Sequence, residues 1–475
     1  MWAYAIFLMA KFSIENFGCR ATESDAAALR HGLLTSGLAL VSDHRSADLV
    51  VLNTCTVTAA ADSQARDAVR KIHRANPTAR IIVTGCYAQR APEEIAALEG
   101  VTWVIGNSHQ TEIPNVAGEL TAQLSDGIAS AERAAEKDFV PVSLLDVGEM
   151  SLARGPAKIL TGDIFAQTSV QIAPSAVAEG DRTRPVLKIQ DGCNNRCSYC
   201  VIPFVRGNSR SLSPEVVVTE VQKLVESGSR EIVLSGINLG AYGRDLSPRA
   251  SLSDVVHRIL EETSLERLRL SSIEPQDVTE ELISLVDSSD RVAPHFHVPL
   301  QSGSDRILRA MHRWYRADHY AERVKRIRQL LPAAAIGADV IVGFPGETEE
   351  DFQATVELIE RLPFTYLHVF SFSARPGTEG ANLAAPVSPS VIRERARSLR
   401  AVAQRKSLDF RASQAGRILR ALTLAGGGDT WTPAMTANYL KVRIPGPLRT
   451  NQWCEICVSS DETSVVTLSA TSLQK

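Results

Sequence analysis

Strands and helices alternate along two long stretches of this chain, and that alternation constrains its fold more than any other feature. Over residues 12–110, Asp48–Asn53 (DLVVLN) and Arg80–Thr84 (RIIVT) read as buried strands, with shorter strands at Phe12–Phe17 and Val101–Ile105. Helical spacing separates them over Ser24–Ser36, 59–75 and Pro92–Glu99. Repeated βα units predict a parallel sheet. From residue 184 to about 381 the rhythm returns, with strands expected at Pro185–Gln190, Glu231–Leu234, Arg267–Ser271, His295–Val298, Ala338–Val342 and Tyr366–Phe370. Six βα units suit a partial (β/α)6 barrel, whose ligands belong at the C-terminal ends of the strands. A basic helix is expected over 391–411. The tail then breaks into short alternating segments, Ile418–Leu424, Asn438–Ile444, Trp453–Val458 and Ser464–Leu468, which read as a small all-β barrel. The fold class is therefore α/β multidomain, and 475 residues at about 150 per domain agree with three domains.

Composition excludes a disordered chain, with 44% apolar and 22% charged residues. The most apolar stretch, residues 1–10, is half the ~20 residues a membrane span requires. It lacks a basic n-region and a cleavage site, so it reads as an extension, with Met9 as an alternative start. The expected location is the cytoplasm, where thiols stay reduced, and the eight cysteines then read as ligands or catalytic groups before disulfides. The net charge of −3 is a sum of opposites. The last 85 residues carry +7 and the preceding 390 carry −10, which places a basic surface suited to phosphates at the C-terminal end.

Cys193, Cys197 and Cys200 lie in KIQDGCNNRCSYC, a C-x3-C-x2-C loop directly after a strand. Three thiolates on one loop can hold three irons of a 4Fe–4S cube and leave the fourth open, whereas ordinary ferredoxin clusters use four thiolates. Zinc is the rival, but it favours four protein ligands and no fourth is near. Cys19, Cys55 and Cys86 each follow a predicted strand (ENFGC, VVLNTC, IIVTGC), spaced by about one βα unit. In a parallel sheet the strand C-termini share one edge. These three thiols are expected to converge and to hold a second cluster. Cys454 and Cys457 lie on one strand, where positions i and i+3 face opposite ways, so no metal is expected there.

The C-x3-C-x2-C loop, with Tyr199 before its last cysteine, resembles the signature of the radical S-adenosylmethionine (radical SAM) superfamily. The two triads in this order resemble the methylthiotransferases. NTCTVTAAAD (Asn53–Asp62), VTGCYAQR (Val83–Arg90) and CSYCVIPFVRGNSRS (Cys197–Ser211), with Thr56–Thr58 and Tyr87 as branch markers, resemble the tRNA N6-threonylcarbamoyladenosine branch. The resemblance implies two 4Fe–4S clusters, S-adenosyl-L-methionine, tRNA and a reducing electron donor. It implies a 2-methylthio group placed on the modified adenosine next to the anticodon. Cys193, Cys197 and Cys200 would hold the radical-generating cluster, and Cys19, Cys55 and Cys86 an auxiliary one. No acid–base pair is required. The family usually has Asn three residues after its first cysteine. Here Thr22 stands there, which leaves the local support of the auxiliary cluster in question.

By position, the resemblance also implies SAM contacts from Ser235, Gly236 and Asn238 in LSGIN and from Gly343 in ADVIVGFPGE, although Gly236, Gly343 and Gly346 also suit plain turns. Arg375 reads as a phosphate or solvent contact, and Arg313 as a substrate or cluster contact. His295 and His297 alternate on one strand, so that at most one is expected inside, as a core histidine. The tail resembles a TRAM domain, an RNA-binding β-barrel, in which Trp431, Tyr439 and Trp453 would stack on bases or fill the core. The domains are then 11–114 with the auxiliary cluster, 115–178 connecting, 179–410 the radical SAM core and 411–475 TRAM-like. The alternatives are methylthiolation of isopentenyladenosine or of a ribosomal-protein aspartate, or a non-catalytic RNA-binding protein with structural metal sites.

Overall fold

The computed structural model describes residues 9–120, 157–171, 183–458 and 465–467. Most of the expected connecting segment and nearly all of the N-terminal extension lie outside these residues. The chain divides into two compact units, one of Met1–Pro174 with Val201–Asn208, the other of Ser175–Cys200 with Ser209–Lys475. Among the described residues, no helix is long and apolar enough to cross a membrane.

The first unit is built on a parallel sheet of β1 (Lys11–Asn16), β2 (Ala39–Leu40), β3 (Leu49–Thr54), β4 (Arg80–Gly85), β5 (Val101–Gly106) and β6 (Lys158–Leu160), in the order β2-β1-β3-β4-β5-β6. The four expected strands form its centre. β2 and β6 escape sequence reading because two or three residues at a sheet edge carry no periodicity. Every residue of β3 is buried, as a central parallel strand with helices on both faces demands. Two apolar clusters cover the faces, one around Val50, Leu52, Val69 and Val83, the other around Phe12, Leu29, Val51 and Ile82.

In the second unit, parallel strands β7 (Val186–Asp191), β9 (Glu231–Gly236) and β10 (Arg267–Leu270) form one sheet, with β8 (Arg210–Ser211) antiparallel at the edge of β7. Strands β11 (His295–His297), β12 (Ala335–Val342) and β13 (Tyr366–Ser371) form a second parallel sheet. Parallel bridges Leu268↔Val292 and Ser272↔His297 join β10 to the β11 side. The result is the expected six-stranded partial barrel. Helices at Pro214–Glu226, Leu252–Glu262, Glu280–Ser288, Ala317–Leu330 and Glu349–Arg361 lie between its strands.

The tail is an antiparallel sheet of β14 (Ile418–Thr423), β15 (Trp431–Thr436), β16 (Lys441–Pro445), β17 (Trp453–Val458) and β18 (Val465–Thr467), ordered β16-β15-β14-β17-β18. β15 was not expected, because Pro433 interrupts its pattern, and proline is uncommon inside a sheet. Cys454 and Cys457 lie on β17 as expected. Cys454 packs beside Ala421 and its thiol donates to the Ala421 carbonyl at 3.4 Å.

This tail is tied into the barrel. Arg269 donates to the carbonyls of Ala437 and Thr436 at 3.0 and 3.1 Å, and Arg267 to that of Arg420 at 3.1 Å. Buried Glu231 bonds Arg269 at 2.8 Å and meets Arg184 and Arg267 at 3.3 and 3.4 Å. Burial alone would raise the Glu231 carboxyl, but the three guanidinium groups hold it below the usual range. Trp453 lies between Arg267 and Arg420, and Tyr439 stacks on His295 with centroids 4.3 Å apart. Neither ring is plain barrel core nor an open base platform. Trp431 is half-buried beneath Arg443. The basic helix, Pro389–Ser413, also spends much of its charge internally. Arg395 pairs with Glu347 at 2.7 Å, Arg405 with Glu360, and Lys406 donates to the Leu362 carbonyl at 2.9 Å.

Two cysteine triads as candidate metal centres

In the first unit, Cys19, Cys55 and Cys86 follow β1, β3 and β4, three adjacent parallel strands, so topology sets them at one sheet edge. Cys19 precedes the helix Arg20–Thr35, and Cys86 opens the short helix Cys86–Arg90. Gly85 has φ +96°, and a Cβ there would strike the Thr54 backbone, so only glycine lets β4 turn into Cys86. A Cβ on Gly18 would lie 3.0 Å from Cys55 Cβ, which measures how closely the first cysteine loop approaches the second. The three thiols feel one another electrostatically. Burial pushes the Cys55 thiol up to about 12 and raises that of Cys86.

Two donors are aimed at Cys86. Arg206 Nε lies 3.3 Å from its Sγ, and Asn107 Nδ2 lies 3.5 Å from it. Arg206 also donates through Nη2 to Asp25 Oδ2 at 2.7 Å, with both side chains almost wholly buried. Asn107 further donates to the Val205 carbonyl at 2.8 Å, fixing the turn that carries Arg206. Sequence reading missed Arg206, Asp25 and Asn107. The signal was a basic residue six positions after Cys200 in a segment too short to show a face. Thr22 is buried, its hydroxyl donates to the Cys19 carbonyl at 2.7 Å, and its own carbonyl accepts from Asn53 at 2.8 Å. The position of the usual Asn is thus still supported. The branch markers lie behind the triad: Thr56 donates to Asp62 at 2.6 Å and accepts from Arg90 at 2.9 Å, Thr58 caps the helix Ala59–Ala75, and Tyr87 joins Arg66 and Glu94, each at 2.8 Å.

In the second unit, Cys193, Cys197 and Cys200 follow β7 on a loop turned by Gly192, φ +72°. Gln190 holds this loop by donating to the Asp191 and Gly192 carbonyls and to Ser209 Oγ at 3.0, 2.7 and 2.9 Å. Its Oε1 accepts from the Asn238 amide at 2.8 Å and fills the space a Cβ on Gly236 would take. Asn238 Nδ2 lies 4.0 Å from Cys193 Sγ. A cavity of about 140 Å³ opens here, lined by Asn194, Asn195, Ser209, Asn238, Arg244 and Asp245. Tyr199 is packed among Ile307, Met311 and Phe344, and burial raises its hydroxyl pKa. Burial also pushes the Cys193 thiol up to about 11. Arg313 donates to Cys197 Sγ at 3.2 Å and pairs with half-buried Glu274, which sets it against the cysteine loop.

Other expected positions fall differently. Ser235 is buried on β9. Gly343, φ +79°, bonds Glu347 Oε2 through its amide at 2.7 Å, and a Cβ there would meet Ile392. Arg375 is buried at 2% exposure, so it does not face solvent. His295 and His297 share one face, because residues i and i+2 of a strand point the same way, and the expectation that at most one lies inside is corrected. Both rings contact Tyr366.

Each triad offers three soft donors with an arginine on one of the sulfurs, a set suited to iron–sulfur coordination with one iron left open. Burial disfavours the Cys86 thiolate, and the Arg206 guanidinium offsets only part of that cost.

This fold and the C-x3-C-x2-C site define a radical SAM enzyme. The radical SAM superfamily pattern matches residues 187–359, and that of the uncharacterized protein family UPF0004 matches residues 11–106. The threonylcarbamoyladenosine tRNA methylthiotransferase MtaB of Aquifex aeolicus is 36% identical over 92% of this chain and 97% of its own length. Its counterpart in Bacillus subtilis is 34% identical over 92% and 91%, and the tRNA-2-methylthio-N(6)-dimethylallyladenosine synthase of Thermobifida fusca 34% over 88% and 78%. The chain belongs to the tRNA methylthiotransferase family of radical SAM enzymes. In fold it is similar to the radical SAM methyltransferase TsrM of Kitasatospora setae, with TM-score 0.55, 16% identity and coverage of 79% of this chain and 77% of that one.

Proposed function

We propose that this chain places a methylthio group on C2 of N6-threonylcarbamoyladenosine, immediately 3′ of the anticodon in tRNA. When bound, SAM and two 4Fe–4S clusters supply the radical that opens the C–H bond and the sulfur and methyl that replace the hydrogen. The chain's residues do the rest. Cys193, Cys197 and Cys200 hold the first cluster, and Arg313 keeps positive charge on Cys197. Asn238, Ser235, Gly236, Tyr199 and Gly343 shape the SAM site, with the cavity beside Asn194 and Asn238 as its polar end. Cys19, Cys55 and Cys86 hold the second cluster, with Arg206 on Cys86.

The observation that carries this reading is the repeated device: three cysteines, one arginine donating to a sulfur, and one carboxylate paired with that arginine. The threonylcarbamoyl branch is favoured by relatives of that name matched over 97% and 91% of their lengths. We assign residues 11–114 to the auxiliary cluster, 115–178 to a connection, 179–410 to the radical SAM core and 411–475 to tRNA binding, in a cytoplasmic enzyme served by a reducing electron donor. Mass spectrometry of tRNA nucleosides from a deletion strain, with and without this gene, tests it. The 2-methylthio form of threonylcarbamoyladenosine should vanish and return. Loss of a methylthiolated isopentenyladenosine instead would overturn the branch.

A further inference from the structure

One polar cluster in the barrel belongs to neither cysteine triad. On β12, Ile336, Ala338, Val340 and Val342 are wholly buried, as a face packed under helices must be, while the alternate residue Asp339 is only partly covered. Asp339 therefore lies on the inner face, where β11 and β13 bring it two histidines. His297 Nε2 and His368 Nδ1 each lie 3.1 Å from Asp339 Oδ1. Ser272 Oγ meets the other ring nitrogen of His297 at 3.3 Å, which fixes that ring. Burial alone would raise the Asp339 carboxyl, but the two imidazoles outweigh it and hold the group well below the usual carboxylate range.

Rings continue along this face. Tyr366 lies 5.4 Å from His368, and Phe370 follows at 6.5 Å. The row ends exposed, with the His368 side chain 53% accessible and Phe370 44%. The cluster is also near the Cys193/Cys197/Cys200 loop. Glu274, the partner of Arg313 on Cys197, feels the charge of Asp339. An acceptor fixed between two imidazoles, flanked by an exposed aromatic ring and adjacent to the radical-generating loop, is suited to a base lifted out of an RNA loop.

We propose that His297, Asp339, His368 and Phe370 form the subsite for the substrate base, a purine whose exocyclic nitrogen carries an N–H-bearing acyl group ending in a carboxylate. This assignment rests on the functional reading above and names the residues that select its substrate. A carboxylate has about four lone-pair sites, so Asp339 can accept a ligand N–H beside the two imidazoles. The exposed edge of His368 is placed for the substituent's carboxylate, and Phe370 for the purine face. The same three side chains converge closely enough to hold a cation. Both imidazole nitrogens, however, address a single oxygen, the arrangement of two donors around one acceptor.

The test is equilibrium binding of two anticodon stem-loop RNAs to the cluster-loaded enzyme, one with N6-threonylcarbamoyladenosine and one with plain adenosine, with and without EDTA. The wild type should prefer the modified RNA by about tenfold or more, the range of one or two charge-assisted hydrogen bonds. His368→Gln and Asp339→Asn should bring the ratio near one. Phe370→Ala, an exposed position that tolerates truncation, should weaken both RNAs alike by about fivefold or more. Variants that keep the wild-type preference would overturn this subsite while leaving the functional reading intact. A wild type that does not discriminate would overturn the functional reading and this assignment with it. A preference lost in EDTA would overturn direct readout in favour of a bound cation.

Discussion

The two triads are assembled by opposite routes. Cys193, Cys197 and Cys200 lie within eight residues, and one loop fixes them: Gly192 turns it and Gln190 bonds it from below. Cys19, Cys55 and Cys86 span 68 residues and meet only because β1, β3 and β4 are parallel neighbours. The local triad depends on a loop, the dispersed one on the register of a whole sheet. Yet both end with a guanidinium on one sulfur, Arg313 on Cys197 and Arg206 on Cys86, backed by Glu274 and Asp25. The same device, a guanidinium on a sulfur backed by a carboxylate, thus stands on two unrelated backbones.

The largest effects should separate the triads. Cys19→Ala should abolish methylthiolation while SAM cleavage to 5′-deoxyadenosine continues, whereas Cys193→Ala should abolish both. Product analysis of each reaction distinguishes them, and thiolation surviving in Cys19→Ala would break the comparison. Arg206→Ala and Arg313→Ala come next. Each should weaken cluster affinity by about 10–100-fold at its own triad only, as loss of supporting contacts around metal ligands does. Arg206→Ala should also cost about 3–5 kcal/mol of stability, because it removes the guanidinium 2.7 Å from buried Asp25. Iron content and denaturant unfolding measure the two. Smaller again, Asp25→Asn and Glu274→Gln keep shape and remove charge. Each should shift the reduction potential of one cluster, read by potentiometric electron paramagnetic resonance, and a shift of both by one variant would contradict the parallel. Thr22→Ala should be the mildest, at about 0.5–1.5 kcal/mol for its bond to the Cys19 carbonyl, seen in thermal unfolding.

Sequence legibility follows the same division. Strands with continuous apolar runs, such as β3 and β4, were readable to within one residue, and both sets of candidate cysteines could be named from spacing and strand ends. The supporting residues were not readable. Arg206 lies 120 positions from Cys86 and Arg313 lies 116 from Cys197, and no local pattern encodes a contact that tertiary packing creates. β15 was hidden by Pro433, and the inner face of the barrel was misjudged at His295 and His297, where strand geometry sets both rings on one side. The C-terminal charge was visible as a sum, but the sequence could not show that Arg395, Arg405 and Lys406 bond back onto the barrel. The antiparallel tail is accordingly a built-in part of the second unit, held by Arg267 and Arg269, which Glu231 bonds from behind.

The central claim is that each triad holds its own cube. Iron and sulfide analysis of anaerobically reconstituted protein, with Mössbauer spectra, tests it most directly. The account predicts about eight irons per chain in the wild type and about four after replacing either whole triad with alanine. About four irons in the wild type, unchanged when Cys19, Cys55 and Cys86 are replaced, would contradict it.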